Sequence, residues 1–524
     1  MKTFYLFLLS IALVTGLQSQ STFHKSFGIP GNGGSLYRSL RTSDGSFVSV
    51  GRMSNNTSFD GDFLVMKTEA AGNPSWIKKF ATPDFEEFTD VAETADGGVV
   101  AVGSSSNMTT YLSSAVLKKL NAAGVTQWTK TYSISGHSVS AHNIRRDNSG
   151  NLFVLGTVNT DVSSDDYLIL KLDGSGNVLT QTTFSTPDFD FPLAFVRKGN
   201  GDMFICGWDN TFVGENIHLL KVNADMTLAW NKKISGPVRF FAYDMKERAD
   251  GHLALAGRYD DGGSSYDILI CTIDDSNGEQ VWAKSYSATE DFGTYAYGLT
   301  ISQGDVIAVT GPAETSSQGT FLLATDATGN LNWSYRYGEP GATSEGYGVT
   351  TASDGGYLLC GLYSNSSDAI VQLLKTNSTG YLACNSSAYS LAVTPVTLPM
   401  QSLTVATGTT NLTAQDLTLT ETAYSNLATI CLGTGNTETA GSAFTVSPNP
   451  SDGRFTLKVP GTYAGAQVTL VNTSGTELLK ESLPSGSAKS SISKTIDIEA
   501  PDGIYIVKID DGKQQVTRKV CISR

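Results

Sequence analysis

The chain has 524 residues, long enough for several domains, and carries a formal net charge of −14 with only 16% charged residues. That balance excludes nucleic acid as a partner, since phosphates demand a basic surface. Fifty-three glycines beside 40% hydrophobic and 10% aromatic residues favour short strands and tight turns over helices.

Residues 1–20 read as a secretory signal peptide. Met1 and Lys2 give a basic start, an apolar stretch runs from Phe4 to Val14, and small and polar residues follow to Gln20. The apolar stretch is short for a membrane span. No later segment is apolar enough for one, so a mature chain without a transmembrane segment is expected, soluble or attached to a surface.

From residue 21 to 384 the chain repeats itself. Turn glycines recur at Gly45, Gly97, Gly150, Gly201, Gly251, Gly304 and Gly355, 50 to 53 residues apart. Trp76, Trp128, Trp230, Trp282 and Trp333 keep the same beat, with Thr180 at the missing one. A period near 50 marks one supersecondary unit stacked many times. In the second unit, alternation from Phe88 leads into the turn at Asp96 and Gly97, and an apolar strand runs from Val99 to Gly103. Ala115 to Leu120 alternates again, Asn121 to Gly124 turns the chain, and Val125 to Tyr132 makes a fourth strand. Period-two alternation broken by Gly, Asp and Asn turns is the hairpin signal. Seven units of four antiparallel strands predict an all-β, seven-bladed β-propeller with each tryptophan in a blade-to-blade contact. His24 lies 52 residues before Trp76, on the tryptophan beat. The strand from Thr22 is therefore expected to complete the last blade and close the ring, which removes exposed sheet edges.

Residues 385–440, rich in Thr, Ser, Leu and Asn, read as a β-rich connector, partly ordered at best. Cys384 and Cys431 flank a segment without repeat character, and an exported chain permits a disulfide between them. Cys206, Cys271 and Cys360 lie in apolar strands and read as buried hydrophobes; Cys521 reads as free and buried. Over residues 441–524 the pattern changes to about seven short strands, which predict a small Ig-like β-sandwich.

Catalytic constellations are weak. No nucleophile elbow, zinc-protease helix or phosphate-binding loop is present, and no catalytic residue, metal site or cofactor is expected. His24 and His252 read as structural, and His137 and His142 as surface residues of one inter-blade loop. Turns at Asp173, Asp274 and Asp326 superficially resemble calcium loops. They lack the twelfth-position glutamate and recur where hairpins want Asp, Asn and Gly anyway. A better candidate lies in the loops leading into the inner strands, which carry Asp84 and Phe85, Asp188 and Phe189, and Asp291 and Phe292. Tyr37, His142, Tyr243, Tyr295 and Tyr347 stand near the start of the strands that follow. Loops of this kind lie around a propeller's channel mouth, and aromatic faces beside carboxylates suit sugars or cationic groups. The candidate ligand-binding set is those three Asp-Phe pairs with Tyr37, Tyr243, Tyr295 and Tyr347.

Two resemblances add to this reading. The repeat phrase (Asp-Gly-Gly-Tyr, apolar strand, Gly, loop, Asp, apolar strand, Asp-x-x-Gly-Asn, Trp) resembles that of a large group of exported bacterial proteins. The phrase Asp326 to Trp333 also resembles the tryptophan-docking repeats of quinoprotein dehydrogenases, whose cofactor ligands are not found here. Pro448, Asn449, Pro450 and Gly453, then Gly475, then Gly503 and Tyr505, with a basic tail that includes Lys519, resemble the type A sorting domain of the type IX secretion system. That resemblance implies engagement by the type IX machinery, export to the outer-membrane surface or the medium, and removal of the tail. The reading is an exported propeller that binds a glycan or protein at its face. A secreted enzyme on the same ring (a hydrolase, a lyase or a quinoprotein-like oxidoreductase) stays open as the alternative.

Overall fold

The computed structural model describes residues 21–28, 32–55, 61–161, 164–186, 190–211, 214–260, 262, 266–288, 293–313, 319–338, 341–364, 369–424, 427–433, 444–447, 451–460, 463–472, 477–484, 491–501, 503–510 and 515–522. All regular elements among them are β-strands. The chain divides into two compact units, Gln20–Gly433 and Thr434–Arg524.

The first unit is a seven-bladed propeller. Blade 2 shows the plan: Phe85–Glu93, Val99–Ser106, Ser113–Leu120 and Thr126–Ser133 pair antiparallel in chain order. The Asp96–Gly97 turn joins the first two strands, and Gly97 takes φ +72, which a side chain resists. The innermost strand of each blade neighbours that of the next, and the strand of the seventh returns to the first. Seven hydrophobic clusters fill the ring, one between each pair of successive blades. Each is built from the alternate apolar residues of two facing sheets, as the period of two requires. Cys206, Cys271 and Cys360 lie in these cores, free and buried, and burial pushes the Cys271 thiol up to about 12.

The tryptophan beat joins the blades, as the spacing predicts. A Cβ placed on Gly124 would lie 2.7 Å from the Trp76 ring, and one on Gly329 2.6 Å from Trp282. Each indole therefore covers the bare turn of the following blade. Trp76, Trp230 and Trp282 also donate Nε1–H to a carbonyl in that turn, at 3.3, 3.1 and 3.2 Å. Four residues on, Tyr132 and Tyr286 donate to Gly176 O and Gly329 O, each at 2.6 Å.

The strand Thr22–Phe27 does complete blade 7, pairing with Ala369–Lys375. The residue at the tryptophan position is Phe23, however, and not His24. Phe23 pairs with Lys375 as Trp76 pairs with Lys67, and its ring covers Gly72. His24 turns to the other face of the sheet, where its Nε2 meets Gln372 Oε1 at 2.8 Å. A one-residue shift exchanges the faces of a strand, which counting residues from Trp76 does not detect.

The segment expected to be a partly ordered connector is a belt. Ser386–Ala388, Ala392–Pro395, Met400–Gln401, Ala406–Gly408, Thr413–Asp416, Thr420–Tyr424 and Leu427–Gly433 each add a fifth, outermost strand to one blade. They visit blades 6, 5, 4, 3, 2, 1 and 7 in turn, one circuit against the direction of the repeats. Between strands the belt inserts apolar side chains into the outer ends of the inter-blade cores: Tyr389, Leu398, Leu403, Leu412 and Leu417. Blade side chains hold the linking backbone. Gln280 accepts Leu398 N–H at 2.6 Å and donates to Val396 O at 3.0 Å, and Asn231 accepts Leu403 N–H at 3.1 Å. Cys384, where the belt starts, is disulfide-bonded. Cys431, in its last strand, is paired in register with His24, and its side chain lies outside the described residues.

The second unit is a two-sheet sandwich. Thr445–Ser447, Arg454–Val459 and Ile492–Asp497 form one sheet, and Gln467–Asn472, Glu477–Ser482, Gly503–Asp510 and Gln515–Ile522 the other. Phe444, Phe455, Leu457, Val468, Tyr505 and Val507 lie in its core. Tyr505 donates its hydroxyl to Pro501 O at 2.7 Å, and Gly453 takes φ +108. Pro448, Asn449, Pro450, Gly475 and the Lys519 side chain lie outside the described residues.

Candidate functional site

A bulge aims the channel residues. In six blades the pairing between first and second strands slips by one residue at the same place, leaving Tyr37, Thr89, His142, Leu193, Tyr243 and Tyr347 unpaired. In blade 6 the corresponding residue is Tyr297, whose N–H is bonded to Thr310 O at 2.9 Å. A recurring glycine on the second strand makes room for this. A Cβ on Gly51, Gly103 or Gly257 would lie 1.9, 1.9 or 1.8 Å from the backbone oxygen of Ser35, Glu87 or Phe241. The glycine that ends each apolar strand is thus a steric condition for a bulge, and bulges re-aim side chains beside functional sites.

The bulge residues and those two positions before them build the wall. Eight rings contact one another in sequence from blade 4 to blade 1: Phe191–Trp208 (5.0 Å between centroids), Trp208–Phe241 (5.4 Å), Phe241–Tyr243 (5.9 Å), Tyr243–Tyr297 (4.9 Å), Tyr297–Tyr347 (5.3 Å) and Tyr347–Tyr37 (5.8 Å), with Tyr295 against both Tyr243 and Tyr297. The tyrosines are half-buried, so parts of their rings remain open to solvent. Tyr37 donates its hydroxyl to Glu87 Oε2 at 3.0 Å, and Tyr347 donates to Glu345 Oε2 at 2.5 Å. Burial and these carboxylates raise both phenols above their ordinary range.

The residues that follow the bulges bind the ring across its centre. Asp244 of blade 5 is buried and accepts from Arg38 Nη1 of blade 1 at 2.7 Å, from Lys246 Nζ at 2.7 Å and from the backbone of Met245 and Leu299. Burial alone would raise this carboxyl, but the two cations outweigh it and hold Asp244 at about 2. Asp90 of blade 2 accepts from Arg145 Nη1 at 2.7 Å and from Ile144 N–H at 3.1 Å. At the position that follows its bulge, blade 3 carries the uncharged Asn143. Asn143 is 4% exposed and its Oδ1 has no donor, and His142 Nε2 has no partner either. A buried unsatisfied polar atom costs about 1–3 kcal/mol. Burial holds the His142 imidazole neutral, its pKa lowered to about 4.

Of the residues singled out from sequence, Tyr37, Tyr243, Tyr295 and Tyr347 come together in this chain of rings. Asp84 and Phe85 do not join it. Asp84 accepts from Asn107 Nδ2 at 3.2 Å and Met108 N–H at 3.4 Å, and Phe85 packs on Gly61 beneath Arg52. Asp188, Phe189, Asp291 and Phe292 lie outside the described residues. His142, read as a surface loop residue, stands in the inner strand Val139–Arg146. The alternation starts earlier than the glycine spacing implied, so the loop is shorter. Phe191, Trp208, Phe241, Tyr297, Glu87, Glu345 and Asn143 were missed, although aligning each repeat on its strand-ending glycine puts most of them in two columns. The Asp173 and Asp326 carboxylates accept backbone N–H groups of their own turns. His252, Asp274 and Asp275 bring three ligand atoms within 4.8 Å, but Lys198 Nζ is 2.7 Å from Asp275 and Asp274 holds Ser276.

No curated protein sequence matches the chain. Among solved structures it is similar to PorZ of Porphyromonas gingivalis, an essential bacterial surface component of the type-IX secretion system (9% identity, TM-score 0.27, 95% of this chain and 100% of that one). It is also similar to the α-L-arabinanase of Penicillium chrysogenum complexed with arabinobiose (10%, 0.37, 69% and 99%) and to the polysaccharide lyase Uly1 (10%, 0.34, 79% and 90%). At these identities and scores none of the three speaks to substrate or activity. Residues 445–523 match the family described as the Secretion system C-terminal sorting domain. The chain therefore carries a C-terminal address for export to the cell surface or secretion, behind a β-propeller.

Proposed function

We propose that this exported propeller binds a ligand in its channel mouth, and that the ligand is a saccharide presented by a glycan or a glycosylated protein. The observation that carries this is the chain of eight rings, all but Phe241 half-open, together with two unsatisfied polar atoms on the inner strand of blade 3. Sugar rings have apolar faces that stack on tyrosine and tryptophan, and their hydroxyls donate and accept where Asn143 Oδ1 and His142 Nε2 lack partners. A glycan array probed with the full chain tests it. Retention of a saccharide ligand is expected, with about tenfold weaker binding after Tyr243→Ala or Tyr297→Ala, on the order of 1.4 kcal/mol for one lost ring contact. Undiminished binding in both variants overturns the site.

The same reading gives the N-terminal segment as a cleaved signal peptide and the type IX machinery as the partner of residues 445–523. It also pairs Cys384 with Cys431, which closes the belt into a covalent hoop in the oxidising compartments that an exported chain meets. Deleting residues 445–523 is expected to leave the propeller inside the cell envelope, read by fractionation.

A further inference from the structure

Two carboxylates stand at the channel mouth beside the tyrosine chain. Glu87 and Glu345 flank blade 1, and each accepts a tyrosine hydroxyl. Neither forms an ion pair among the described residues, and the nearby cations make their closest contacts with other groups, although Arg52 also acts on the Tyr37 phenol whose proton Glu87 accepts. Arg38 and Lys246 are held by Asp244, and Arg145 by Asp90. Arg52 lies over the Phe85 ring at 5.2 Å, and Arg258 over Phe241 at 4.0 Å. His142 is neutral. Two carboxylates with spare acceptor capacity therefore border the rings of Tyr37, Tyr347 and Tyr297, and an aromatic face is itself attractive to a cation. An ammonium group has three donors and no acceptor, which matches a wall of acceptors and ring faces.

Resting on the saccharide reading above, we infer that the site takes a cationic saccharide, a 2-amino-2-deoxy sugar. Its ring stacks on the tyrosine chain, its ammonium group lies against Glu87 and Glu345, and its hydroxyls reach His142 and Asn143. The acetamido form of the same sugar loses the charge and is the weaker ligand. Binding then depends on the amine being free, so the site distinguishes deacetylated from acetylated glycans of one backbone.

The test is calorimetry on the full chain at about pH 6, with the glucosamine trimer, its fully N-acetylated counterpart and trilysine. The glucosamine trimer is expected to bind about tenfold tighter than the N-acetylated one, the scale of one charge-assisted hydrogen bond. That preference shrinks in high salt. The double variant Glu87→Gln, Glu345→Gln, its melting temperature checked, loses the preference and keeps the acetylated trimer's affinity, whereas Tyr297→Ala weakens both sugars. Equal binding of the two trimers, or a preference that survives the double variant, overturns the inference and leaves the saccharide reading standing. Tighter binding of trilysine overturns it in favour of a peptide cation. If no saccharide binds, on the array or here, both readings fall.

Discussion

Thr180 and Met226 are the two residues that break the repeat, and they break it together. Every other blade sets a ring over a glycine of the next turn, yet Thr180 has no ring and the turn it faces carries Met226 at φ +71. Met226 is 7% exposed and packs in the core between blades 3 and 4, so it fills from one side the volume that tryptophan fills from the other. A methionine at positive φ is strained, and the packing it provides offsets that strain. Thr180→Trp alone is expected to overpack by about 1–3 kcal/mol and Met226→Gly alone to leave a void. The double variant is expected to be more stable than the sum of the two, a coupling that a double-mutant cycle in denaturant measures. Glu86 offers a second test. It is buried, and burial, with Asp62 and Asp84 nearby, raises it to about 7 against the donors on Thr82. A carboxyl raised in the folded state binds more protons there, so its contribution is intact at low pH and is lost between about pH 4.5 and 7. Glu86→Gln is therefore expected to raise stability by about 2 kcal/mol at pH 8 and to change little at pH 4.

The belt is the element whose role depends most on the assembly. Its strands are two to seven residues long, too short for stability alone, and they order because each blade offers an open edge and each inter-blade core an open end. Leu398 is 4% exposed in the core of blades 4 and 5, and burying such a side chain contributes about 2 kcal/mol. Seven belt strands, one on each blade, cover the outer edge of the ring against strand pairing. Peptide mapping under non-reducing conditions is expected to recover Cys384 linked to Cys431. Cys431→Ser is expected to cost up to about 4 kcal/mol on the chain-entropy model and to expose residues 386–433 to protease. A link from Cys384 to Cys521 instead would refute the hoop.

At the scale of the whole propeller, one central ion pair joins blades that are not neighbours. Arg38 and Asp244 are 206 residues apart and bring blades 1 and 5 together. Breaking a buried pair strands the remaining charge, so Asp244→Asn is expected to cost about 3 kcal/mol at neutral pH. Asp244 is held at about 2, below its unfolded value, and so stabilises the fold above about pH 4 and ceases to as pH falls through 2. The gap between wild type and variant should close over that window in acid unfolding curves.

Periodic signals determined most of what was legible beforehand. Turn glycines and tryptophans some 50 residues apart are local chemistry repeated, and local chemistry is what a sequence displays: the seven blades, the closing N-terminal strand and the indole contacts were readable from it, while the sorting tail was readable from its resemblance to a known family. The four tyrosines were readable too, as aromatics near the start of the inner strands, three of them at one phase of the repeat and Tyr295 two residues off it. Tertiary structure decided the rest. Whether Phe23 or His24 faces the next blade depends on register, which a bulge or a one-residue offset changes without altering composition. The belt was missed because its beat of about seven residues is set by the spacing between blades rather than by any strand's own pleat, and its leucines are buried only once the ring exists. The pairing of Arg38 with Asp244, and the unsatisfied Asn143 beside the tyrosine wall, arise from blades meeting around a common axis, a relation no stretch of chain contains.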